Sequence, residues 1–386
     1  MEEVVIIHLS DLHFSESDFW ERPPEKSNWP HRSGHDPYML IALDKILKSF
    51  RWDKIVISGD LSRIGHTDSF GYVKNWLYGE IIAPNGQRIG LKLAEDRNDC
   101  ILVPGNHDCF NGGKIQHSLT NYDKCFPHIS GSKVIRTEAN GISINFHLYD
   151  STYPKGGFAK GHIYPVNFSR FKTNDETLDI VVVHHHLAQH PEHKRHRTLE
   201  MVNTDDFLAF LLSENINAVL FGHTHERFFE NVSAEMLKKY ILIKRKYGRW
   251  FGSILLKYWF SQKMPSLSFN RIPTKSGRFP SFDKYFEYLY LRDVLKEKDI
   301  LGPDKFKGPQ HFYDHVKSFR SDYGKEIKKV RQKKVAFSMS PSPCYSGGEK
   351  NGFHRLIFRR KNSKFWCECQ YYKWDGNDFV FTDKKT

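Results

Sequence analysis

Apolar residues in this chain gather in short unbroken runs, and each run ends in the same kind of side chain. Val4–Ile7 leads to Asp11 and His13. Ile55–Ile57 leads through Gly59 to Asp60, and Ile101–Val103 leads to Asn106, His107 and Asp108. Ile180–Val183 leads to His184, His185 and His186, and Ala218–Phe221 leads across Gly222 to His223 and His225. Continuous rather than alternating apolar runs predict strands covered on both faces. Helical spacing appears between them. "DPYMLIALDKILKSF" sets Leu40, Leu43, Ile46 and Leu47 on one face, and "TDDFLAFLLSENI" opens with Thr204 or Asp205 as its cap. Strands alternating with helices predict an α/β architecture whose ligands collect beyond the strand ends.

The pattern changes after Glu230. "AEMLKKYILIKRKYGRWFGSILLKYWFSQK" is basic and aromatic, with breakers following at Pro265, Pro273 and Pro280. Helices are predicted over Asp283–Lys298 and through "DHVKSFRSDYGKEIKKV", with loops at Gly302, Pro303, Gly308 and Pro309. From Val335 strands return as "VAFSMSPSPC", "FHRLIFRR", "FWCECQYYKW" and "DFVFTD", turning at Gly347-Gly348 and Asp375-Gly376. No internal repeat or low-complexity tract is seen.

Composition narrows the class. The chain has 386 residues, 39% hydrophobic and 27% charged, which suits one large or two ordinary globular domains. No apolar run reaches transmembrane length, and the acidic start leading into "VVIIHLSD" is wrongly flanked for a signal peptide. Cys100, Cys109, Cys125, Cys344, Cys367 and Cys369 are scattered, which predicts reduced thiols and a cytoplasmic location. The formal net charge is +13, and it is unevenly placed. Residues 234–334 hold 25 Lys and Arg against 10 Asp and Glu, whereas the remainder holds 33 against 35. The basic excess therefore belongs to one segment.

The polar ends form one donor set. Carboxylates, an amide oxygen and imidazoles, without thiolate, suit Mn, Fe, Zn or Ni better than a structural zinc site. They are too many for one ion. Two divalent or trivalent ions sharing a carboxylate is the economical arrangement. A pair about 3.5–4 Å apart polarises a phosphoryl group, acidifies a bridging water and steadies the leaving oxygen. His8 lies inside a strand and is read as structural.

Five motifs in order carry a resemblance: D-x-H (Asp11, His13), G-D (Gly59, Asp60), G-N-H-D (Gly105–Asp108), a histidine after a strand (His184) and G-H-x-H (Gly222–His225). Together they resemble the calcineurin-like metallophosphoesterases, with wording similar to cyclic-nucleotide phosphodiesterase-like members. The resemblance implies a layered αββα sandwich. It implies that Asp11, His13 and His225 hold one metal, that Asp60 bridges, and that Asn106, His184 and His223 hold the second. His107 would be the general acid, with Asp108 fixing its imidazole. Three consecutive histidines leave His184 and His185 both open as the ligand. The implied activity is hydrolysis of a phosphodiester or phosphomonoester, such as a nucleotide, by a metal-activated hydroxide. A DNA or RNA nuclease, a protein phosphatase or a non-catalytic interaction module would use the same fold, although a module could lose ligands and every expected type is present.

The tail "KKVAFSMSPSPCYSGGEKNGFHRLIF" is similar to the family's closing strands, displaced by about 100 residues. The expected organisation is therefore a core over 1–231, a basic, mainly helical insertion over 232–334, and core-completing strands over 335–386. A separate domain starting near 234 is the alternative. The insertion has three readings: a lid or oligomer contact, a nucleic-acid surface using Lys244–Lys246, Arg249, Lys328, Lys329, Arg331, Lys333 and Lys334, or peripheral membrane docking through Trp250, Trp259 and Phe260.

Overall fold

The computed structural model describes residues 2–16, 19–21, 34–112, 118–127, 129, 131–153, 160–164, 167, 176–187, 201–214, 216–233, 334–345, 351–361 and 364–382. Met1–Val232 and Lys334–Thr386 form one compact unit, and Ser233–Lys333 form another. The helices predicted for the basic segment lie outside the described residues.

The first unit runs β1 (Glu2–Leu9), α1 (Pro37–Ser49), β2 (Lys54–Ile57), α2 (Thr67–Tyr78), a small ribbon of β3 (Ile81–Ile82) and β4 (Arg88–Ile89), then β5 (Cys100–Leu102) and α3 (Thr120–Asp123). It continues through β6 (Ser132–Ala139), β7 (Ile142–Tyr149), β8 (Leu178–Val182), α4 (Thr204–Ser213), β9 (Ala218–Phe221) and β10 (Phe228–Ser233). It closes with β11 (Lys334–Met339), β12 (Gly352–Lys361), β13 (Lys364–Trp374) and β14 (Phe379–Thr382). Two six-stranded mixed sheets result, in the orders β14-β13-β12-β1-β2-β5 and β10-β11-β9-β8-β7-β6. In the first, β1, β2 and β5 are parallel, and β12 runs antiparallel to β1. In the second, β7, β8, β9 and β11 are parallel.

Two-residue periodicity sorts the core into layers. In β1, Val4 and Ile6 join Val56 and Ile101 against Ile144, Phe146, Ile180, Val182, Leu220 and Ala336 of the second sheet. Ile7 and Leu9 face the other way, joining Ile55 and Ile57 under Leu40, Leu43 and Leu47 of α1 and Phe70 and Trp76 of α2. On the far face of the second sheet Val181, Val183, Val219 and Phe221 are buried. There Phe207 of α4 meets Tyr149 of β7 edge-on at 4.9 Å. The layering is helix, sheet, sheet, helix, as the resemblance implied. His8 shares the inner face with Val4 and Ile6. It is fully buried, bonded through Nδ1 to Ser338 Oγ (2.9 Å) and through Nε2 to Ser58 Oγ (3.0 Å), so it ties the two sheets together.

Two local expectations change. The α4 cap is Asn203, not Thr204 or Asp205; the Thr204 hydroxyl instead donates to Met201 O at 2.7 Å. The β6–β7 hairpin was not anticipated, although Asn140 (φ 51°) and Gly141 (φ 75°) form the N-G turn that hairpins favour.

Candidate metal centre

Parallel strands point their C-terminal ends the same way, so whatever follows them is delivered to one edge. Asp11 follows β1, Asp60 follows β2, Asn106 follows β5, His184 follows β8 and His223 follows β9. The loops are stitched together by main-chain bonds: Asp11 N to Gly59 O (3.0 Å), His13 N to Asp60 O (2.9 Å) and Gly222 N to His184 O (3.0 Å). Two glycines make room. A Cβ on Gly59 would enter the His184 ring, and one on Gly222 would collide with Ser10 Oγ and come within 2.7 Å of Asp11 Oδ2. Backbone strain collects here as well. Asp11, His13, Asp60, His223 and His225 all have φ between 50° and 79°, a left-handed conformation that costs a non-glycine residue about 1–2 kcal/mol. Such strain persists only where surrounding structure enforces it, and it clusters at functional sites.

The side chains converge in three overlapping groups: Asp11, His13 and His225; His13, Asp60 and His107; and Asp60, His184 and His223. Within each, one ligand atom per residue lies within 4.8 Å of the others. His225 Nε2 stands 3.0 Å from His13 Nε2 and 3.4 Å from Asp11 Oδ1. His184 Nε2 stands 3.1 Å from Asn106 Oδ1 and 3.4 Å from Asp60 Oδ2, which is also 3.8 Å from His13 Nε2. Asp60 thus lies between the two outer groups.

The chemistry of these atoms suits cations. The His184 Nδ1–H donates to Ser58 O at 2.8 Å, which leaves the Nε2 lone pair facing the oxygens of Asn106 and Asp60 and the Nδ1 of His223 at 3.2 Å. Acceptors crowded together without a donor repel unless positive charge lies among them. Asp11 Oδ1 is buried and makes no hydrogen bond. Without a metal, protonation partly answers the need. Burial works to lower the His184 pKa, but the Asp60 and Asp11 carboxylates raise it to about 9. Burial alone would raise Asp60 and Asp11; the imidazoles of His184 and His107 hold Asp60 well below the usual range, and His225 brings Asp11 down to about 2. Desolvation keeps His13 well below its ordinary value and His223 at about 3, so both offer lone pairs.

The structure brings His184, not His185, to Asn106 and Asp60. His185 turns its Nδ1 to Ser151 Oγ at 2.8 Å. His107 is half-buried, its backbone N–H donating to Asp60 Oδ1 at 2.8 Å and its ring edge-on to His13 at 4.7 Å. One expected contact is corrected. Asp108 does not hold the His107 imidazole, because its carboxylate is committed to three backbone N–H groups: Gly105 (2.8 Å), Ser62 (2.8 Å) and Leu61 (3.2 Å). The ring's Nδ1–H instead donates to Arg63 O at 2.8 Å. His35 is buried against Phe14 and Phe19. Sequence reasoning missed Ser58 and Arg63, which act through carbonyl oxygens that any residue could supply. It also missed Tyr345, whose ring lies 4.6 Å from that of His225.

An αββα sandwich carrying an Asp, Asn and His cluster at its strand ends defines a class of metal-dependent phosphoester hydrolases. A family model described as calcineurin-like phosphoesterase matches residues 4–227, and the chain belongs to that family. No curated protein sequence matches the chain. No helix among the described residues is long and apolar enough to cross a membrane.

Proposed function

We propose that this protein hydrolyses a small phosphodiester or phosphomonoester, such as a nucleotide, at a dinuclear metal centre. The observation that carries the proposal is the convergence of buried oxygens and imidazole lone pairs from five strand ends. Asp11, His13 and His225 would hold one ion, Asn106, His184 and His223 the other, and Asp60 would serve both. The donor set suits Mn, Fe, Zn or Ni. Such ions supply Lewis acidity at phosphorus and a nucleophile at neutral pH.

The protein's own contribution is position and proton transfer. The bond from Nδ1 to Arg63 O fixes the His107 ring and assigns its exchangeable proton to Nε2. From there it serves as general acid to the departing oxygen. Asp108 holds the Gly105–His107 turn against Leu61 and Ser62, so it acts on His107 through the backbone. Six free cysteines support a reducing, cytoplasmic setting.

The pairing of β11 with β9 and of β12 with β1 supports reading 232–334 as an insertion into the core, with 335–386 completing it. The concentration of basic residues in that segment favours one second reading, a nuclease whose insertion grips the phosphate backbone. A panel of nitrophenyl mono- and diesters, cyclic nucleotides and labelled single- and double-stranded DNA separates the two. With Mn, small esters turn over and chelator abolishes the reaction. Cleavage of nucleic acid alone, falling steeply with salt, selects the nuclease. Absence of metal-dependent turnover on every substrate contradicts both.

A further inference from the structure

Asp11, Leu12 and His13 form a strained turn of the centre, with φ of 53° at Asp11 and 50° at His13. The N–H groups of Asp11 and His13 donate to Gly59 O and Asp60 O, and that of Phe14, just beyond, to Leu61 O. The turn's carbonyl groups are held from elsewhere. Ser342 Oγ donates to Asp11 O at 2.6 Å, Cys344 Sγ donates to Leu12 O at 3.3 Å, and Ser340 Oγ donates to His8 O at 2.8 Å, at the entry to the turn. These donors come from one stretch, S-P-S-P-C, that follows β11.

The sequence of that stretch explains how it works. Residues 340, 342 and 344 alternate with Pro341 and Pro343, and the chain bends at Pro343 and Cys344, where the Tyr345 N–H returns to Ser342 Oγ. Each proline fixes φ and has no N–H to satisfy, so the segment is stiff and its polar atoms are the donors between them. All five residues are buried. The chain then places Tyr345 beside the ligands: its N–H donates to Ser342 Oγ at 2.9 Å, and its ring lies 5.4 Å from that of His13 and 4.6 Å, edge-on, from that of His225. One short segment thus touches the turn carrying Asp11 and His13 and the ring of His225. It lies outside the residues matched by the family model and rejoins the core only after Ser233–Lys333.

We propose that Ser340–Tyr345 is a positioning brace for the Asp11–His13–His225 half of the centre, with Ser342 its principal contact, so that affinity for one of the two metals is set by the chain returning after the basic segment. Ser342 and Tyr345 are positioning residues, not catalytic ones. The inference rests on reading Asp11, His13 and His225 as ligands.

Calorimetric titration of the chelated full chain with Mn(II) tests both and tells their failures apart. Wild type binding fewer than two ions overturns the reading of the centre. Given two ions, Ser342→Ala is expected to weaken one by about 10–100-fold, the range for groups that orient metal ligands, and to leave the other within about twofold. Ser342→Thr, which keeps the donor, restores the lost affinity. Equal binding of both ions by wild type and Ser342→Ala overturns the brace, and so does a parallel loss at both positions. Melting of the chelated protein supplies the control. A merely structural serine lowers that melting temperature without splitting the two affinities. If Ser342→Ala does not fold, Tyr345→Leu takes its place; it should weaken the same single ion, and wild-type affinity at both positions overturns the proposal.

Discussion

At the scale of single residues, the centre stores strain in the backbone and relieves it in the side chains. Five ligand candidates occupy a left-handed conformation that glycine would adopt at no cost, and none can be glycine because each must present an oxygen or an imidazole. The glycines beside them are constrained in the opposite sense. In Gly222→Ala the new methyl would press on Ser10 and Asp11, so a fall of tenfold or more in metal affinity is expected, read by metal content after dialysis. His107→Ala should keep its metal and lose roughly a hundredfold or more in turnover, as for removal of a general acid. Asp60→Asn should reduce occupancy at both positions, and full metal content with full activity would contradict its bridging role. The convergence of the candidate ligands was legible in the sequence because metal chemistry restricts such donors to a few side chains, and these follow buried strands. The groups that orient them were not. Ser58 and Arg63 act through main-chain oxygens, and no side-chain pattern announces which carbonyl an imidazole will meet.

At the scale of elements, burial of neutral histidines makes the fold acid-sensitive. His8, a β1 residue bonded to Ser338 of β11, and His35, against Phe14, are both lowered to about 3 by desolvation, with Asp11 opposing the shift at His8 and Arg63 reinforcing it at His35. The unfolded chain takes up these protons near 6.5 and the native one does not. Stability from this source is therefore complete above 6.5 and lost as pH falls toward 3. Each group contributes about 1.4 kcal/mol per pH unit within that window. In urea unfolding with chelator these two should contribute roughly 3–4 kcal/mol to the loss between pH 7 and pH 5, and His35→Gln should reduce that loss by roughly 2 kcal/mol. A pH-independent midpoint would contradict the assignment. Strands β1, β2, β5, β8 and β9 were legible because continuous apolar runs have few other uses. The β6–β7 hairpin was harder to see because β6 has no buried position, so its few apolar residues are diluted, although β7 is mostly buried. The α4 cap slipped by one residue because Thr204 spends its hydroxyl on Met201.

At the scale of the whole molecule, charge and chemistry are separated along the chain. The candidate ligands lie between residues 11 and 225, and the positive excess lies in 234–334. If that segment only recruits a large substrate, its deletion should spare cleavage of a small chromogenic diester while lowering affinity for polyanions; loss of both activities in a folded protein would make it part of the site. The αββα layering was legible from strand and helix alternation together with the motif order. Long-range pairing of β11 and β12 was legible only through the resemblance, because contacts between residues more than 100 positions apart leave no local pattern. The central claim is that these distant loops enclose two cations, and anomalous scattering from Mn(II)-loaded crystals tests it most directly. Two peaks about 3.5–4 Å apart are predicted, with Asp60 between them, Asp11, His13 and His225 on one side, and Asn106, His184 and His223 on the other. Manganese bound elsewhere, with no peak among these side chains, would contradict it.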